Sequence, residues 1–507
     1  MIKPIVSLLL TACLCLNTEI SFSQKKSKIE DSILTDIKSF YHIDFSKYSQ
    51  PLQQLPIGVF DSGTGGLTVL DALVNFDEFN NVSKSIGADG AADFSSEKFI
   101  YLADQANMPY GNYNATGKDD VLKEHIIKDF QFLLGDKYYQ SGASPSYIAN
   151  KEQVKAIVIA CNTATAYGYE KAVSFLKKTN LDIPIIGVIN AATRGTLSFF
   201  DKSESGAIAV FATVGTIASG GYERILQQQI AEGNYCGNIQ IFNQGGYGLA
   251  EAVDGEPDFI RQNSYAPQQA YRGPSLENSD YRIDKALLKV YNFRKEGNSL
   301  LCDNQNVEDC SIIQLNNAEN YVRYHLVSLL EKMRKSKNAQ PLKAIVLGCT
   351  HYPYLIKEIN MVFNELKKYK AKNGEYVYKH LIGEGLHIID PSIYVAQELY
   401  LALQTKQLFN TNKQPLLQQS EFYISVPNLT NSNVKLDSAG RFTYNYKYGR
   451  REGEIQEYVK SVPFDRKNIS AETLKRLETM IPNTYKLIQR FSKENPKCNY
   501  LKSENKI

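Results

Sequence analysis

Apolar residues along this chain fall into short, nearly continuous runs, each ending in a turn and opening into a stretch with helical spacing. Ile57-Gly58-Val59-Phe60 leads through Asp61-Ser62-Gly63-Thr64-Gly65-Gly66 into residues 67–74. The order recurs at residues 155–159 followed by Ala160-Cys161-Asn162-Thr163-Ala164-Thr165, and again at residues 183–189. It returns at residues 207–211 followed by Ala212-Thr213-Val214-Gly215-Thr216, and at residues 344–347 followed by Gly348-Cys349-Thr350-His351. Short β-branched runs that each open into a helix predict parallel strands in an α/β protein. In such folds the loops after the carboxyl ends of the strands line the site, and every polar cluster just quoted occupies that position.

Other stretches have a different character. Residues 77–97 and 137–153 are rich in Gly, Ser, Asn and Asp and read as surface loops, and residues 254–316 form a longer insertion with little periodicity. A helix follows it, with Val322, Leu326, Leu329, Leu330 and Met333 on one face as core. Beyond about Phe409 the chain turns polar and mixed, with alternating stretches at residues 422–426 and 442–446 and a helix-like run over residues 471–491. The domain reading is therefore a lead-in at 24–54, a first α/β domain from 55–190 and 350–408, a second from 191–349 carrying the insertion, and an accessory extension at 409–507.

Composition narrows the function. The chain has 507 residues, 43% of them hydrophobic, enough for a sizeable core. Its 57 Lys and Arg against 54 Asp and Glu leave a net charge of +3, so it lacks the basic footprint that a nucleic acid requires. No internal stretch reaches the roughly 18 apolar residues of a membrane span. At the amino terminus, Lys3 precedes an apolar run over residues 5–16 and then Ser21-Phe22-Ser23, the pattern of a signal peptide cleaved after Ser23. The chain is thus expected to be exported and periplasmic. A second reading takes Leu10-Thr11-Ala12-Cys13 as a lipobox with lipid anchoring through Cys13. Six cysteines then remain, of which Cys302 and Cys310 are the first pair to expect in a disulfide. No CxxC pair occurs and His numbers only six, which leaves a structural zinc site with little support.

The strongest chemical feature is a pair of cysteines, Cys161 and Cys349, each at the end of an apolar strand and the start of a helix. A helix amino terminus offers unpaired N–H donors and positive partial charge, which favours a thiolate and also holds a carboxylate. Asn162, Thr163 and Thr350 add neutral donors. A lone Cys there is more often a small core hydrophobe, but two in matching contexts point to chemistry. Two thiols across a cleft suffice to move a carbon-bound proton from one face to the other.

These residues also carry a family resemblance. The segment from Ile57 to Leu67, Tyr101-Leu102-Ala103-Asp104 with Pro109-Tyr110-Gly111, Ala160-Cys161-Asn162-Thr163-Ala164, Ile185-Ile186-Gly187-Val188 and Gly348-Cys349-Thr350-His351-Tyr352-Pro353 together resemble the ordered motifs of the glutamate racemases, in the aspartate/glutamate racemase family. The resemblance runs from about Pro56 to about Ala402. It implies two similar doubly wound parallel-sheet domains with the site between them, and a two-base racemase without cofactor or metal. It makes Cys161 the base toward the D substrate and Cys349 the base toward the L substrate. Asp61 and His351 would be their proton-relaying neighbours, with Glu251 as a further carboxylate. Asp61, Ser62, Tyr110, Gly111, Asn162, Thr163, Thr213, Thr350 and His351 would bind substrate. Ala103, Gln105 and Asn190-Ala191-Ala192 depart from the family pattern, which leaves aspartate or another amino acid as alternative substrates. The insertion could cap the cleft, alter specificity or build a homodimer interface. The rival from another class is an exported amino-acid-binding protein that kept the pocket and lost turnover.

Overall fold

The computed structural model describes residues 27–261, 264–411 and 414–507. The signal peptide and Cys13 readings lie outside the described residues. Two sheets organise the chain. The first is built on β1 (Ile57–Asp61), β2 (Phe99–Ala103), β3 (Ala156–Ile159) and β4 (Ile185–Gly187), and the second on β5 (Gly206–Ala212), β6 (Ile239–Gly245), β7 (Leu342–Gly348) and β8 (Ile382–Ile389). Two further strands, β9 (Glu421–Pro427) and β10 (Val459–Pro463), extend the first sheet, whose order is β10-β9-β2-β1-β3-β4; the second runs β8-β7-β5-β6. All pairings in these sheets are parallel except β9 with β10.

Parallel strands covered by helices on both faces have no solvent side, which is why their sequences are apolar runs without alternation. Every residue of β1, β2, β3 and β5 is buried. Register then sets the site. Phe60 pairs with Ile159, so Asp61 and Cys161 leave adjacent strands at the same edge. Ala212 pairs with Gly348, which does the same for Thr213 and Cys349.

Three expectations change here. Residues 350–389 go with the second sheet, because β8 pairs with β7, and the chain returns to the first domain only at the helix Pro391–Thr405. Residues 442–446 form no strand: Thr443 caps a short helix, Tyr444–Gly449, by accepting a hydrogen bond from Tyr446 N. Finally, the run over 471–491 is two helices, Ala471–Met480 and Pro482–Glu494, since Pro482 has no N–H to continue the first.

The insertion forms a layer against the second core through Phe259, Ile283, Leu288, Tyr291 and Cys310. Cys302 and Cys310 are disulfide-bonded, as their spacing led one to expect. Beneath it the helix Ala318–Lys335 buries the apolar stripe named above, together with Arg323 at 1% exposure. Arg323 holds both oxygens of Glu365 at 2.7 and 3.0 Å and bonds Glu319 at 2.9 Å. This guanidinium holds the Glu365 carboxyl down at about 2. A depressed carboxylate stabilises the fold above its unfolded value near 4.5 and loses that contribution as pH falls through about 2. Arg323→Ala is expected to destabilise by about 3 kcal/mol at neutral pH, the low end for an opened buried pair, with the deficit shrinking below pH 4. Urea unfolding at several pH values measures both. Among the described residues no helix is long and apolar enough to cross a membrane.

Candidate active site

A cavity of about 660 Å³ lies where the carboxyl ends of the two sheets meet. Cys161 and Cys349 both line it, each nearly buried at 6% and 7% exposure. Contact across the sheets is direct: a Cβ added to Gly65, after β1, would sit 3.3 Å from Thr350 Oγ1, after β7.

Around Cys161 the chain builds a compact acid–base pair. Cys161 is the N-cap of the helix Asn162–Lys178, and its sulfur accepts the Ala164 N–H at 3.4 Å. The thiol lies 3.7 Å from Ser62 Oγ. Asp61 Oδ2 accepts the Gly66 N–H at 2.8 Å, and a Cβ on Gly66 would come within 2.5 Å of the Asp61 Cβ, so the turn folds over its own carboxylate only with glycine there. Burial raises the Asp61 carboxyl. Burial, followed by the charge of Asp61, pushes the Cys161 thiol up to about 12. At neutral pH this sulfur carries its proton.

Cys349 has different company. His351 Nδ1 lies 3.6 Å from its sulfur, and His351 Nε2 lies 3.1 Å from Asp254 Oδ1. Burial works against charge on the imidazole, but the contacts with Asp254 and Cys349 outweigh it and carry His351 up to about 10. The protonated ring therefore stands between the Asp254 carboxylate, beside Nε2, and the Cys349 sulfur, beside Nδ1. On the other side Asp254 Oδ2 is 2.7 Å from the guanidinium of Arg476. Burial alone would raise Asp254; His351 and Arg476 bring it below the ordinary carboxylate value.

Most of the expected residues converge. Asp61, Ser62, Asn162, Thr163, Thr213, Thr350 and His351 all face the cavity. Asn162 Oδ1 accepts the Tyr222 hydroxyl at 2.9 Å, and Thr213 Oγ1 caps its helix by accepting the Thr216 N–H. Three expectations fail. Glu251 is not among the lining residues; the carboxylate that meets His351 is Asp254, three positions later on the same short helix, Leu249–Asp254. Tyr110 is 1% exposed, with its hydroxyl between the Asp104 and Asp129 carboxylates at 2.6 and 2.8 Å, which ties it into the first domain's interior. Gly111, which follows it, does not line the cavity either.

Two sources of the wall were not foreseen. Asn468, Ser470, Thr473 and Arg476 come from the carboxyl extension, while among the described residues of the insertion at 254–316 only its first, Asp254, lines the cavity. The insertion is therefore not the cap of this cleft. Gln105, one of the departures from the family pattern, also lines it. The extension shows no signal of such a role in sequence, since a single Arg in an amphipathic helix reads as a solvated position.

No family model matches the chain. Against individual proteins, it is 30% identical to a glutamate racemase of Ralstonia nicotianae over 229 residues, which is 44% of this chain and 62% of that protein. The chain thus spans less than two thirds of the length of that relative. It is 24% identical to a glutamate racemase of Clostridium novyi over 385 residues, covering 76% of this chain and 95% of that one. Among solved structures, the glutamate racemase of Francisella tularensis in complex with D-glutamate aligns with a TM-score of 0.39 at 20% identity, covering 74% of this chain and 89% of that chain. The chain is thus similar in sequence to glutamate racemases.

Proposed function

We propose that this protein is an amino-acid racemase that interconverts L- and D-glutamate by two-thiol proton transfer. The observation that carries this reading is that Cys161 and Cys349 open onto one cavity with separate acid–base partners. An L substrate loses its α-proton to the Cys349 thiolate and receives the Cys161 proton on the opposite face. The cysteines then exchange states, Cys349 as thiol and Cys161 as thiolate, and the D substrate runs the same steps backward. Asp61 is placed to take the proton from Cys161, and the Ser62 hydroxyl and Ala164 N–H are placed to hold the thiolate that remains.

An α-proton beside a carboxylate is far less acidic than a thiol, so the site must stabilise charge that grows on the substrate. The first N–H groups of the helix Asn162–Lys178 and the neutral donors of Asn162, Thr163, Thr213 and Thr350 supply dipoles without a competing negative charge. Asp61 can face the ammonium. The two thiols move both protons the reaction needs while these dipoles stabilise the growing charge, so the reading invokes no cofactor.

Export belongs to the same proposal. What supports it is the Cys302–Cys310 disulfide, a bond that persists in oxidising compartments, while Cys161 and Cys349 are free thiols. Amino-terminal sequencing of protein from the periplasm should begin at Gln24; an intact Met1 or a lipidated Cys13 would overturn the cleavage site.

The test of activity is loss of the α-proton signal of L- and D-glutamate in deuterated buffer, followed by chiral chromatography, with aspartate and other amino acids beside it. Exchange with both glutamate enantiomers is expected. Glutamate binding without exchange would favour the binding-protein rival, and faster exchange with aspartate would reassign the substrate.

A further inference from the structure

Arg476 occupies the middle of the helix Ala471–Met480, which belongs to the extension beyond the part of the chain that resembles racemases. That helix is held firmly. Ser470 caps it by accepting the Thr473 N–H, and Leu474 and Leu477 are buried in the first core. Arg476 projects from it into the cavity wall, with its guanidinium 2.7 Å from Asp254 Oδ2. The other oxygen of that carboxylate faces His351, whose far nitrogen faces Cys349. Guanidinium, carboxylate, imidazole ring and sulfur thus follow one another at contact distance, and every member lines the same cavity.

A carboxylate on a six-residue helix rotates easily about its side-chain bonds. With one oxygen ion-paired to Arg476, the other stands 3.1 Å from His351 Nε2, on the side of the ring away from the sulfur. Arg476 is only 29% exposed and Asp254 19%, so solvent screens the pair incompletely. Its value is geometric.

We propose that Arg476 is a positioning residue of the active site: it fixes Asp254, which holds His351 beside Cys349, so the extension completes the half of the site that serves the L enantiomer. The inference rests on the racemase reading.

A double-mutant cycle on the full-length protein tests it, with racemisation kinetics on Arg476→Gln, Arg476→Lys, Asp254→Asn and the double variant Arg476→Gln/Asp254→Asn. Thermal unfolding of each variant runs alongside. Arg476→Gln is expected to lower kcat roughly 10- to 100-fold, the scale for a lost orienting neighbour, with KM changed much less. Arg476→Lys should recover part of that, because it restores the charge without the planar fork. In the Asp254→Asn background the Arg476 substitution should cost less than twofold, since its target is already gone. The primary isotope effect with α-deuterated L-glutamate should also rise above that with the D enantiomer as proton removal by Cys349 becomes limiting.

Full additivity of the two substitutions, or kcat within twofold of wild type in Arg476→Gln, would overturn the inference while leaving the racemase intact. A KM increase with kcat unchanged would also overturn it, by making Arg476 a substrate-binding group. Should Arg476→Gln fail to fold, Arg476→Lys and the isotope effects decide alone. Wild-type protein without α-proton exchange would sink the racemase reading and this inference together.

Discussion

Cys161→Ala and Cys349→Ala are each expected to abolish the proposed racemisation of glutamate, with rates falling at least about 10³-fold, because each removes the proton carrier that the two-thiol reading assigns to one face of the substrate. The fold should survive. A cysteine is small, and truncating it leaves a void of one sulfur atom at the rim of a cavity that is already open. Cys161→Ala also removes a helix cap, since the sulfur accepts the Ala164 N–H, for an expected stability loss of about 1 kcal/mol. Cys161→Ser keeps a cap and separates that effect from the chemistry. The two sites should also differ in pH response. Cys161 carries its proton until about 12, so turnover of D-glutamate depends on Asp61 to take that proton, and Asp61→Asn should slow proton removal from the D enantiomer more than from the L. Proton NMR in deuterated buffer reports each rate. Residual exchange of both enantiomers in either alanine variant would end the two-thiol account.

Deleting residues 410–507 is expected to unfold the chain rather than trim it. The extension was read as accessory, yet β9 lies inside the first sheet, with Glu421 opposite Ile100 and Ile424 opposite Ala103 on one side and β10 on the other. Ser420 accepts the Phe99 N–H, and Ser425 donates to Asp104, so side chains also join the two strands. Phe422, Ile424, Phe464, Ile488 and Phe491 are at most 2% exposed. At about 1.5–3 kcal/mol for each buried side chain, these five alone match the 5–15 kcal/mol that separates a typical native state from its unfolded chain. Removal would also leave β2 as a bare apolar edge, which invites aggregation. The truncated protein should be insoluble or lack a cooperative thermal transition by calorimetry. A soluble truncation with a normal transition would show that the first domain closes without its extension.

The contrast between those two predictions shows what was legible. Local pattern located the βα units because a parallel strand buried on both faces must be an apolar run, and its turn must carry the polar groups. It therefore found Cys161 and Cys349 at strand ends, while the roles of Asp61 and His351, in the same turns, came from the family resemblance. It found the helix Ala318–Lys335 by its 3.6-residue stripe and the Cys302–Cys310 pair by proximity. It missed Asp254 because Glu251 and Asp254 occupy one short helix, and only the placement of that helix against the loop after β7 decides which carboxylate reaches His351. It missed the burial of Tyr110 because Asp104 and Asp129, which hold its hydroxyl, come from a turn and from a helix 19 residues away.

The chain's own order of residues determined the α/β class, the two cysteines and the donors beside them, since those follow from periodicity and from what a strand-to-helix turn places in the first helical turn. Tertiary structure alone decided that a strand more than 300 residues downstream joins β2, that residues 350–389 pair with the second sheet, and that Arg476 stands beside Asp254. Periodicity reports which face of a segment is buried but not against what. Partner choice between distant segments is settled by the closure of a whole core, for which no local window of residues carries the information.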